Sequence, residues 1–258
     1  MRKIKLGGHK VTIYDSIDEL PMVRFHKYSK MLLVDAGVGS DINDFDAHIE
    51  RAVRYFRKGD NENGAKELEN LRQCVFLILS EQSVKDLSFA CLVAEIDGKP
   101  CNDLSDQALA EVVRTLGEVP RKDFTSSADE VKKKIDDELT TYFPDLFDDT
   151  SAREYYDTMK RRTQAVLESI LQGESEERKR SISQMTEQMV LHVRPKVFAG
   201  RQSVEIQHDK AFESMCLTIS RETNADAKRM TVMEYYNAYE YIRRLSKERQ
   251  KQTAKGSK

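Results

Sequence analysis

Apolar residues recur along most of this chain in steps of three and four, and little interrupts them. Phe45, Ile49, Val53 and Phe56 step by four, four and three; Ile182, Met185, Met189 and Val193 step by three, four and four. Such steps return a side chain to one face of a 3.6-residue helix. Proline removes a helical N–H and glycine loosens the backbone. With only 5 Pro and 11 Gly in 258 residues, long stretches escape both. The expected fold is mainly α: helical layers or a bundle, not a many-turned β sandwich. Apolar residues are 39% and charged residues 33%, a balance that suits thin layers with much exposed surface.

The first residues are the exception. Lys3–Leu6 and Val11–Tyr14 alternate polar and apolar around Gly7-Gly8, which predicts a small N-terminal β-hairpin. Ser16 with Glu19 fits a capping box for a helix running to about Asp35 and stopping at Gly37, read as its C-cap glycine. Ser40-Asp41 caps a second helix ending at Gly59. A third follows Asn61-Glu62-Asn63, with Leu68, Leu71, Val75 and Ile78 as its buried stripe. Ser83 with Asp86 caps a fourth, running to about Glu95, and Asp97-Gly98-Lys99-Pro100 is a turn. Ser105 to Leu116 is a fifth, closed by Gly117.

From 118 to 149 the periodicity breaks at Val119-Pro120, Thr125-Ser126-Ser127 and Tyr142-Phe143-Pro144-Asp145, with a short charged helix, about Ala128 to Leu139, between. Beyond it, Met159, Thr163, Val166 and Ile170 form one stripe and Ile182 to Val193 another; Phe212, Met215 and Ile219 make a third. The predicted organisation is an N-terminal helical domain with hairpin (1–117), an acidic linker region (118–149) and a C-terminal helical domain with a basic tail (150–258).

No catalytic, metal or cofactor signature stands out. Glu205-Ile206-Gln207-His208 matches half of a di-iron motif, but that chemistry needs two such motifs and two further Glu. Asp35 to Asp41 has the glycines of a phosphate loop without the lysine, and its Asp spacing does not suit calcium. A serine hydrolase would need G-x-S-x-G at a strand-to-helix turn, which is absent. The four cysteines form no C-x-x-C, and three lie in apolar runs where a thiol packs as a small core residue. They are expected to be free thiols in a reducing compartment. MRKIKLGGHK has no apolar signal core, and runs such as Cys74 to Leu79 are too short for a membrane. The expectation is a protein with no enzyme activity and no cofactor.

The strongest signal outside the core is Tyr235, Tyr236, Tyr239 and Tyr241 in one helix opened by Thr231 and Glu234. At about 100° per residue these rings spread around the helix, so some are expected to leave the intradomain core. Tyrosine brings large area with a polar tip and is favoured in interfaces. Arg243 and Arg244 begin a tail with seven bases against one acid to Lys258, while Asp129 to Asp149 holds eight acids against three bases. A net charge of -2 gives no global pull toward nucleic acid, and no pattern for its sequence-specific recognition is present. The tyrosines with Arg243 and Arg244 are therefore candidate interface residues, the basic tail meeting an acidic surface of a neighbour.

Two segments resemble known families. Val11 to Pro21, Arg24 to Tyr28 and Leu32 to Asp41, with Leu87 to Leu104, resemble virion-module proteins of crAss-like phages of gut Bacteroidota, over roughly the first 110 residues. Met230 to Gln252, with Thr231, Glu234, Tyr235 and Tyr236, resembles the C-terminal helix of tail-assembly chaperones and related tail-module proteins. The resemblance implies a structural or assembly protein of a tailed bacteriophage, in the connector or tail region, partnered by other phage structural proteins and by copies of itself. It implies a place in the virion, and in the host cytoplasm during assembly. A chaperone absent from the finished particle is one alternative; a phage-encoded cytoplasmic enzyme or nucleic-acid-processing factor is another.

Overall fold

The computed structural model describes the backbone of all residues except 82, 118–120, 148–149, 174, 193 and 257–258; the side chains of 121–125, 150–153, 190–192 and 251–256 also lie outside the described set. Expectations at Val119-Pro120, at Val193 and along the basic tail beyond residue 250 fall there.

The hairpin forms as expected. β1 (Arg2–Leu6) and β2 (His9–Ile13) pair antiparallel, with Gly7 and Gly8 at φ 54° and 97°. Positive φ at both central residues matches the strand twist and suits glycine. The sheet then continues where a helix end and turn were expected. The fourth helix stops at Leu92, and β3 (Val93–Ile96) adds to β2 while β4 (Lys99–Pro100) adds to β3, giving order β1-β2-β3-β4. The turn between β3 and β4 is Asp97-Gly98, at φ 50° and 82°. Asp-Gly is a strong hairpin signal, and β2 offered an edge for it.

Helices fill the rest: α1 (Met22–Gly37), α2 (Ile42–Arg57), α3 (Asn61–Leu79), α4 (Val84–Leu92), α5 (Asp106–Leu116), α6 (Arg121–Tyr142), α7 (Pro144–Phe147), α8 (Thr150–Gln172), α9 (Glu176–His192), α10 (Val204–Thr223) and α11 (Val232–Gly256). Asp41, Ser83 and Ser105 cap α2, α4 and α5, each accepting backbone N–H groups. Ser16 caps nothing. Its hydroxyl donates to the Glu138 carboxylate of α6, which also accepts the Ile17 N–H at 2.8 Å, so α1 begins later, at Met22. Gly37 is the last residue of α1 rather than the left-handed cap. A Cβ there would meet the Phe198 ring at 2.2 Å, so its bare backbone admits that ring, and Gly39 takes the positive φ.

One buried cluster draws on all three of the segments suggested by the sequence. It joins Leu6, Val11 and Ile13 of the hairpin, Phe25 and Tyr28 of α1, Phe89 and Leu92 of α4, Val131, Ile135 and Leu139 of α6, and Ile219, Val232 and Tyr235 near the C-terminus. The charged helix expected in the linker region extends to 22 residues and buries Val131, Ile135 and Leu139 at steps of four, with Phe143 buried just past its end. The two ends of the chain are sewn together by backbone: Met22 N–H to the Met230 carbonyl at 2.8 Å, and Val232 N–H to the Leu20 carbonyl at 2.9 Å.

Two buried charges anchor the layers. Arg24, 5% exposed, donates to the carbonyls of Cys91 and Val93 at 3.1 and 3.0 Å and to that of Cys101, tying α1 to the start of β3. Glu67 of α3 faces α2, with His48 Nδ1 at 2.6 Å and Arg51 Nε at 2.9 Å; His48 Nε2 lies 2.8 Å from the Val38 carbonyl. The face α3 buries is thus Gly64, Glu67, Asn70 and Cys74, while Leu68 of the expected stripe is 47% exposed. The ion pair decides the rotation of the helix, because a buried carboxylate must meet its partners. All four cysteines are free thiols.

Candidate functional site

The tyrosine helix lies against the chain's own layers. Tyr235 is 4% exposed, its ring 6.1 Å from that of Phe212 on α10. Tyr236 stands edge-on to Phe25 and Phe147 at 6.3 and 5.0 Å and tilted against Phe143 at 5.5 Å. Burial pushes its hydroxyl up to about 12. Tyr239 is half-buried against the same cluster. The rings do spread around the helix, but α1, α10 and the α6–α7 end surround it on those sides. Tyr235 and Tyr236 therefore belong to the intrachain core. Of the expected interface residues, Tyr241 is 51% exposed, Arg244 is exposed and Arg243 is half-buried.

Among the apolar groups that reach solvent, beside Ile49, Val53 and Phe56 of α2 and Phe76 and Leu79 of α3, those of α8 form the longest stripe. Met159, Thr163, Val166 and Ile170 were expected to turn inward. Instead Ile170 is 73% exposed and Met159 37%, and beside them stand Tyr156, Leu167 and Leu171 at 60%, 55% and 83%. The inward face carries smaller or polar groups. Ser169 is buried, and Arg162 Nε donates to Thr186 Oγ1 of α9 at 2.7 Å. α9 packs on this side of α8, which leaves the bulky apolar residues outside. The result is an amphipathic helix whose bulky apolar residues stand exposed among the described residues.

No family model, curated protein or solved structure matches the chain. No helix among the described residues is long and apolar enough to cross a membrane.

The sequence pair Glu205 and His208 leads to a cluster spread over α1 and α10. The His26 ring stacks between those of His208 and Phe212, at 4.5 and 4.0 Å with planes within 10° and 9°. Asp209 lies 2.9 Å from His26 Nε2 and 2.7 Å from the Lys30 ammonium. His26, His208 and Asp209 can bring ligand atoms within 4.8 Å of one another. The arrangement does not suit a metal ion. Imidazole lone pairs lie in the ring plane, so two parallel stacked rings aim them side by side rather than at one point. Lys30 also already neutralises the carboxylate. Glu205 lies 3.9 Å from the Lys30 ammonium.

Burial lowers both histidines; Asp209 partly offsets this for His26, and the neighbouring His26 adds to it for His208. A folded-state value below the unfolded one means the unfolded chain takes up protons first as pH falls. The pair's contribution to stability is therefore complete above about pH 6.5 and declines on acidification toward the folded-state values. The urea midpoint is expected to fall between pH 7.5 and 5.5, and a double His26→Phe, His208→Asn variant should flatten that part of the profile. A variant whose midpoint falls as steeply as the native chain's contradicts this.

Proposed function

We propose that the protein is a non-enzymatic structural or assembly component of a tailed-phage particle, working through helical contacts with copies of itself and with neighbouring particle proteins. The observation that carries this reading is the outward stripe Tyr156, Met159, Leu167, Ile170 and Leu171 on α8. Exposed bulky apolar side chains gathered on one helix face mark a place where another protein sits. The exposed Tyr241 and Arg244 on α11 offer a second, more polar contact. The resemblance of residues 11–41 and 230–252 to virion-module and tail-module proteins supports the phage setting, with the virion as the final location and the host cytoplasm as the place of assembly.

Quantitative mass spectrometry of purified particles tests the reading. The chain should be present at a copy number comparable to that of other connector or tail proteins. Abundance in the infected-cell lysate with none in the particle would replace it with an assembly chaperone.

A further inference from the structure

A cavity of about 360 Å³ opens between the α1–α3 layer and the α8–α9 hairpin. That lies within the range of small-molecule pockets, about 300–1,000 Å³. Its wall is partly apolar, from Leu33, Met189 and Phe198. Its charges are unevenly satisfied. Of the lining carboxylates, Glu67 is taken by His48 and Arg51, and Glu50 by Arg54. Arg162, Arg194 and Lys196 also line it, and none has a carboxylate within ion-pair distance among the described residues. Among the described residues, the lining carboxylates are ion-paired while these three cations are not.

Asn70 supplies an independent sign. It lines the cavity and is 1% exposed. Its Nδ2 donates to the Lys196 carbonyl at 2.9 Å, which fixes the orientation of the amide. Oδ1 is then buried and meets no donor. A buried acceptor with no partner is uncommon and calls for a cause.

We propose that this cavity binds a small organic anion. Its carboxylate or phosphate group would pair with Arg162, Arg194 and Lys196, its body would rest on Leu33 and Phe198, and an N–H or O–H of the ligand would donate to Asn70 Oδ1. Guanidinium groups suit either anion, since both offer paired oxygens. The site is separate from the outward stripe of α8, because its lining faces the α1–α3 layer.

Isothermal titration of the full chain tests this with two probes. Adenosine 5′-monophosphate stands for the phosphates and N-acetyl-L-phenylalanine for the carboxylates, each beside its neutral counterpart, adenosine and N-acetyl-L-phenylalanine amide. One of the anions should bind one site per chain, at least about tenfold tighter than its neutral counterpart, and which one binds identifies the source. An Arg194→Ala, Lys196→Ala variant should lose that preference while keeping its circular dichroism and melting temperature. Lys196→Ala alone serves if the double variant melts early. Failure of both anions to bind, equal binding of the neutral counterparts, or unchanged binding by the folded variants overturns the proposal.

Discussion

Replacing Glu67 by Ala will lower the stability of the chain by about 3–5 kcal/mol, the range for breaking a buried ion pair from one side. The Glu67 side chain is 4% exposed and that of His48 only 1%. Removing the carboxylate takes away the acceptor that His48 Nδ1 and Arg51 Nε share, and leaves the ring and the guanidinium, 2.8 Å apart, without the negative charge between them. His48 also meets the carbonyl of Val38, just past the end of α1, so the loss spreads from the α2–α3 pair to the junction with α1. Glu67→Gln keeps the volume and one acceptor and should cost clearly less. Urea denaturation reads both. A loss below about 1 kcal/mol for the Ala variant, the level of an exposed pair, would show that the cluster is solvated.

Tyr235→Ala should cost about 3–5 kcal/mol, as for other large aromatics removed from a core. The ring is packed by Phe212, Tyr236 and the Cys216 region, and its helix begins where the two ends of the chain are bonded together. Tyr241→Ala, by contrast, should stay within about 0.5 kcal/mol, because that ring is half in water. The pair of variants separates the core tyrosines from the one free to meet a neighbour. Equal and small losses for both would mean that Tyr235 is not part of the fold's interior.

Features written by neighbouring residues were legible in the sequence. Gly7-Gly8 makes its own turn, and Asp41, Ser83 and Ser105 cap their helices with groups two or three residues on. Asp97-Gly98 carried an equally local hairpin signal, yet it follows an apolar run that reads as well for a helix end. Features that depend on which layer arrives from elsewhere were not legible. Ser16 could have capped α1 had Glu138 not come from α6. The exposed and buried faces of α8 are both partly apolar, and only the approach of α9 decides between them. The tyrosines surround their helix, but a helix wrapped by its own chain and one wrapped by a neighbour leave the same pattern in the sequence. The candidate anion site had no local trace at all, since Asn70, Arg162, Arg194 and Lys196 are brought together only by the fold.

The outward face of α8 is where a second copy of the chain should dock. A second copy docking there covers Leu167, Ile170 and Leu171 on both partners, worth up to about 12 kcal/mol at roughly 2 kcal/mol for each side chain, above the low end, about 4 kcal/mol, of what association costs in lost freedom. Light scattering of the purified chain on a sizing column, beside a Leu167→Ser, Ile170→Ser, Leu171→Ser variant, therefore measures the claim directly. The native chain should run as a multimer and the variant as a monomer with the same helical content. A native chain that stays monomeric, or a variant that assembles as before, would contradict it.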